Sequence, residues 1–149
     1  MNIESLRSLQ KRIREAIGPD RELDGDIIVA LKGGEIVWKM ANYTMEQYPA
    51  HRYPSKNHLS GFANEHVPLL TASIDACVAL QRAVLPGWSL CLTVGLSGDY
   101  AVIHEFDPPC RRLPSEPFSF RSYNICLTAL DAILSALIAQ EEAKEKADV

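Results

Sequence analysis

The sequence predicts an α/β (α+β) protein: a small antiparallel sheet packed by helices, sandwich-like, in the order α-α-β-loop-α-β-β-α. Three observations lead there. Four segments carry apolar residues at helical spacing, the run from Trp88 to Leu96 alternates apolar and polar residues, and Ser97-Gly98-Asp99 turns that strand back on itself. Consecutive strands joined by a tight turn pair antiparallel, and helices must then cover at least one face. A chain of 149 residues, 47% apolar and 23% charged, suits a single domain, 1–149, with a real core.

The elements follow in order. Residues 1–34 read as a helical pair. In the first helix Ile3, Leu6, Leu9, Ile13, Ala16 and Ile17 share a face, and Gly18-Pro19 stops it, with glycine suited to a left-handed cap. Asp20 caps the second, whose stripe is Leu23, Ile27, Ile28 and Leu31, with Gly25 inside it and Gly33-Gly34 at its end. Glu35 to Asn42 reads as a strand. Residues 43–70 contain Pro49, Pro54 and Pro68 and show no period, so they read as a long loop, partly structured or functional.

Thr71 or Ser73 caps a helix carrying Ile74, Cys77, Val78, Leu80, Ala83 and Val84, which Leu85-Pro86-Gly87-Trp88 breaks. For the hairpin, a three-residue loop pairs Leu96 with Tyr100 and turns Tyr100, Val102, His104 and Phe106 toward the core. A two-residue loop would bury Asp99, Glu105 and Asp107, so the first register is expected. Asp107 to Pro117 reads as loop, with a short edge strand near Leu113. The last helix starts around Ser119 to Ser122 and carries Tyr123, Cys126, Leu127, Leu130, Ile133, Leu134, Leu137 and Ile138. The charged tail, 141–149, is expected to fray.

Composition narrows the function. The net charge of −4 exerts no long-range pull on nucleic acid or anionic membrane, and no stretch approaches the roughly 18 apolar residues of a membrane span. The start Met1-Asn2-Ile3-Glu4-Ser5 lacks the layout of a secretory signal, so a cytoplasmic location is expected. Cys77, Cys91, Cys110 and Cys126 show no close pairing of the kind that aims two thiolates at one metal.

Candidate chemistry is sparse. His51, His58 and His66, with Glu65 beside the last, lie seven and eight residues apart, which fits neither a helical nor a tight-turn ligand pair; no metal and no cofactor is expected. His104 and Glu105 point to opposite faces of a strand and cannot form a local acid–base pair. Gly33-Gly34 lacks a phosphate-cradling continuation. Arg7, Lys11 and Arg14 form a basic stripe interleaved with Glu4 and Glu15, a solvated helix face, and Arg111-Arg112 adds a second basic spot. The most informative surface is 43–66, which mixes Tyr43, Tyr48, Tyr53 and Phe62 with His51, Arg52 and Lys56. Aromatic and arginine side chains anchor interfaces, because they bury much area at little entropic cost. Two readings stand: a partner surface built on Tyr43, Tyr48, His51, Arg52, Tyr53 and Lys56, or a loop that Tyr53 and Phe62 staple onto the domain.

The segments Leu70-Thr71-Ala72-Ser73-Ile74-Asp75-Ala76-Cys77, Leu85-Pro86-Gly87-Trp88 and Ile125-Cys126-Leu127-Thr128-Ala129-Leu130, with the helix start Arg21-Glu22-Leu23-Asp24, resemble a family of short phage and prophage proteins, the phage ABA sandwich domain. The resemblance spans Val67 to about Leu137. Leu70 stands where that family often has an aromatic, Arg121 where it often has proline, and the segment from Glu35 to Glu65 is an insertion. It implies an α/β sandwich of phage origin and brings no catalytic residues. The expectation is therefore a non-enzymatic phage or prophage accessory protein that binds a protein partner, in its sharpest form an inhibitor of a host defence nuclease of the anti-CRISPR kind. The alternatives are a small metal-dependent enzyme using the loop histidines and a nucleic-acid-binding regulator using Arg7, Lys11 and Arg14. A sheet edge could also pair two copies across a two-fold axis, although no residue in the sequence requires it.

Overall fold

Asn2 opens the first helix: its side-chain oxygen accepts the N–H groups of Glu4 and Ser5, two donors a helix start leaves unpaired. The computed structural model describes residues 2–41, 44, 46–94, 98–105 and 124–147. Helix α1 (Ile3–Glu15) buries Leu6, Leu9 and Ile13. It ends two residues earlier than its apolar stripe, because Ala16 is extended, and Gly18 is not a left-handed cap. Asp20 caps α2 (Arg21–Lys32) as expected, and Gly33 and Gly34 close it at φ 72° and 86°.

The long loop expected over 43–70 is instead a meander. Strands β1 (Glu35–Met40), β2 (Gln47–Pro54) and β3 (Phe62–His66) form an antiparallel sheet in that order, with Ile36 opposite His51 and His51 opposite Glu65. The ladder shows why its prolines are tolerated. Ala41 N–H donates to Glu46 at 2.9 Å and Val67 N–H to Pro49 at 3.4 Å, so even-numbered residues of β2 bond to β1 and odd-numbered ones to β3. Pro49 uses only its carbonyl at the last rung, and Pro54 lies beyond the first residue of β1, where no donor is needed.

Ser73 caps α3 (Ile74–Val84) by accepting Ala76 N–H. The Gln81 amide then donates to the carbonyls of Leu85 and Trp88, fixing the turn into β4 (Trp88–Thr93). Strand β5 (Tyr100–Glu105) pairs with β4 in a register different from the expected one. Thr93 opposes Tyr100, Leu92 opposes Ala101 and Leu90 opposes Ile103, so Ala101 and Ile103 join the core. The connection is longer than three residues, and lengthening a loop costs little compared with seating two apolar side chains. Leu96, Ser97 and Phe106 lie outside the described residues, as do the segment near Leu113, Arg111-Arg112, Tyr123, and the expected helix start at Ser119 to Ser122.

Helix α4 (Ile125–Ala147) begins where Asn124 Oδ1 accepts the N–H groups of Cys126 and Leu127. Residues Cys126–Leu134 and Ala136–Ile138 are all buried, the pattern of a helix surrounded by other elements. It packs against α1, α3 and the β4–β5 hairpin. The tail expected to fray stays helical to Ala147, held by Lys144–Glu141 and by Arg7, which reaches across to Glu142 at 2.8 Å. Helix α2 joins the two halves: Leu23, Ile27 and Ile28 lie in the core, while Gly25 brings its other side down onto β1, where an added Cβ would stand 3.0 Å from Ile36. No described helix is long and apolar enough to cross a membrane.

Two buried carboxylates tie the parts together. Asp131 on α4 takes a two-point contact from Arg14 on α1, with Nε–Oδ1 at 2.8 Å. Asp24 accepts Thr71 N–H at 2.7 Å and Arg21 Nη1 at 2.6 Å, and Arg21 also donates to the carbonyls of Val67 and Pro68. Thr71 completes the knot by accepting Asp20 N–H at 2.8 Å.

Candidate protein-interaction surface

Strand alternation sorts the candidate residues onto two faces. One face of β2 carries Pro49, His51 and Tyr53 and looks toward α2. The other carries Tyr48, Ala50 and Arg52 and looks away from it. Among the described elements only α2 packs on this sheet, and none of them forms a layer over the outer face.

The outer face is organised by side-chain pairs. Tyr48 stacks on His66, ring centroids 4.6 Å apart and planes at 19°. The Arg52 guanidinium lies 4.2 Å above the Phe62 ring and 3.3 Å from Glu35. Val37 and Lys39 complete the face on β1. These contacts hold flat aromatic and guanidinium surfaces in fixed orientations, so a partner meeting them loses little side-chain entropy.

His51 is elsewhere. Its side chain is 3% exposed and points under the end of α2, where Nε2–H donates to the Gly33 carbonyl at 2.7 Å. Its Nδ1 is buried with no hydrogen-bond partner among the described residues. This imidazole fastens β2 to the helix end and is unavailable to a partner. Tyr53 shares the inner face, stacks on His51, and donates its hydroxyl to Glu65 at 2.7 Å. That hydrogen bond, with some burial, raises the phenol pKa. Lys56 and His58 are exposed in the β2–β3 turn, and Tyr43 lies outside the described residues. The five expected contact residues that are described therefore do not form one surface: Tyr48 and Arg52 share the outer face, His51 and Tyr53 the inner one, and Lys56 the hairpin tip. His66, Phe62 and Glu35 belong with Tyr48 and Arg52, a grouping that strand pairing alone could have revealed.

The same geometry separates the histidines. His51 points inward, His66 outward and His58 sits in the turn, and among the described residues no group of three His, Cys, Asp or Glu side chains can hold a metal. The basic stripe of α1 is neutralised in place: Arg7 pairs with Glu4 and Glu142, Lys11 with Glu15 and Arg14 with Asp131. An open groove of about 530 Å³ between α1 and α2 is lined by Arg12 and Asp26, which bond to each other across it.

The cysteines differ sharply in access. Cys77 and Cys126 are buried and Cys91 is exposed. Burial, with Cys126 alongside, drives the Cys77 thiol pKa far upward, and burial raises that of Cys126 as well. In a Cys110→Ser background, a thiol reagent is expected to modify one cysteine, Cys91, rapidly, and two more only on unfolding. Three rapidly reacting thiols in the folded protein would contradict this packing.

The residues behind the phage-protein resemblance are structural here: Ser73 is a helix cap, Gly87 makes a turn at φ 84°, and Cys77, Cys126, Leu127 and Leu130 are core. The chain matches no family model, curated protein or solved structure.

Proposed function

We propose that this protein is a non-enzymatic binding module that engages a protein partner through the outer face of the β1–β2–β3 sheet. The observation that carries this reading is that face itself, uncovered among the described elements and bearing the preorganised pairs Tyr48–His66 and Arg52–Phe62. Tyrosine and arginine dominate binding energy at protein interfaces, and rigid aromatic anchors need little reordering. A phage or prophage origin is the setting suggested by the resemblance over 67–137; within it, inhibition of a host defence nuclease in the cytoplasm is the sharpest form the binding role would take.

The test compares the wild-type chain with Tyr48→Ala and Arg52→Ala as affinity baits in host lysate. Partner binding is expected to weaken by about tenfold or more for each substitution, with circular dichroism unchanged. Capture of the same partner at undiminished affinity by both variants would rule out the outer face.

A further inference from the structure

We propose that β1 is a self-recognition edge, and that two copies of this chain pair their β1 strands antiparallel about a two-fold axis at Val37, giving one six-stranded sheet.

The backbone comes first. Ladder parity directs the N–H and C=O groups of the odd residues of β1 toward β2. Those of Ile36, Trp38 and Met40 point to the opposite edge, where no described strand pairs with them. An antiparallel partner must set even residues against even ones, so the two residue numbers of each pair must sum to an even value. Among those registers, centring on Val37 places Ile36 opposite the partner's Trp38 in hydrogen-bonded pairs, with Val37 opposite the partner's Val37 between them and Glu35 opposite the partner's Lys39 in the non-bonded pairs flanking them. Both cross-strand charge pairs are then attractive. A shift of two residues either way sets the charges against uncharged positions, and a shift of four brings Lys39 against Lys39 or Glu35 against Glu35. Only one register is thus self-complementary in both backbone and charge.

The side chains agree with it. Trp38 and Met40 are 46% and 51% exposed, unusual for large apolar groups on the face where α2 sits. Helix α2 packs chiefly on β2 and covers β1 at Ile36, leaving Trp38 and Met40 exposed beyond it. A two-fold perpendicular to the sheet places both α2 helices on the same side, so the two Trp38 rings fill the gap between them, each beside the partner's Ile36, which α2 already covers through Gly25. Glu35 is 62% exposed and only partly engaged by Arg52, and Lys39 has no ion pair among the described residues, so both are open to a partner. Charges on an edge strand ordinarily deter pairing. Here they deter every register except the self-complementary one.

The experiment is sedimentation equilibrium of the full chain across a concentration series at low salt. The wild type is expected to associate into a dimer. Lys39→Glu and Glu35→Lys should each weaken it by about tenfold, because two attractive pairs become repulsive. Mixing the two variants should restore association, since the heterodimer regains both opposite-charge pairs. Circular dichroism of each variant verifies folding. A wild-type chain monomeric at every concentration, a dimer indifferent to both substitutions, or a mixture no tighter than its components would overturn the proposal.

Discussion

Replacing Asp24 with alanine is expected to lower stability by about 3 kcal/mol, a fall of roughly 10 °C in Tm for a chain of this size. Asp24 is fully buried and is the acceptor for Thr71 N–H. Without it that donor is buried and unpaired, and a stranded donor costs more than an average hydrogen bond contributes. The Arg21 guanidinium also loses its carboxylate, although it keeps the carbonyls of Val67 and Pro68. Asp24→Asn is the informative companion: an amide oxygen can still accept from Thr71, so its loss should be about half as large. Urea denaturation of the three proteins provides the check. Equal losses for the two variants would show that charge, and not the Thr71 contact, is what matters; a loss below about 1 kcal/mol for alanine would show the whole knot to be dispensable.

A substitution of similar size is Gly34→Ala. Gly34 sits at φ 86°, a conformation that costs a residue with a Cβ about 1–2 kcal/mol. The new methyl would also overlap the Arg52 carbonyl oxygen and stand 2.8 Å from His51 Nε2. The oxygen belongs to the β2 backbone, so relief requires the strand to move, and overpacking of this kind adds about 1–3 kcal/mol. A total near 3 kcal/mol is expected by denaturant unfolding. Gly33→Ala is the control, since Gly33 has a similar positive φ but open space around its Cβ position. Its cost should be confined to the backbone conformation. If the two variants lose the same amount, the close approach of β2 to the end of α2 contributes nothing.

Legibility in the sequence followed the strength of each local signal. Helices α1, α2 and α3 carry stripes at helical spacing, and the caps of α2 and α3, Asp20 and Ser73, act through neighbours two or three residues away, which a sequence displays. Strand β4 alternates cleanly because one face meets the core. Strands β2 and β3 were hidden for the opposite reason. Pro49 and Pro54 look like breakers until the ladder shows that neither N–H is wanted, and consecutive residues Pro49, Ala50 and His51 are all buried, which erases the alternation. His51 looked like a surface residue because its partner, the Gly33 carbonyl, is set by tertiary packing. The β4–β5 register failed through parity: a turn length assumed from Ser97-Gly98-Asp99 decided every later pairing, whereas contacts with α4 decide it in the fold. The outer-face pairs Tyr48–His66 and Arg52–Phe62 depend on the β2–β3 register, so they could not emerge before those strands were recognised.

The enclosure of α4 has a consequence for how the chain acquires its structure. The apolar stripe of α1 packs on a helix that begins only at Ile125, and Arg14 finds its carboxylate at Asp131. During synthesis at about 5–20 residues per second, the first helix therefore waits several seconds or more for its principal neighbour to emerge. Until then α2 is the one described element that can cover Leu6, Leu9 and Ile13, beside whatever chaperone holds the nascent chain. The β1–β2–β3 meander needs only α2 above it and can form first, whereas the core closes last, when the final helix slots into a partly assembled shell. A premature stop within α4 would thus release a chain whose first half is folded in part and whose oily interior has never been sealed.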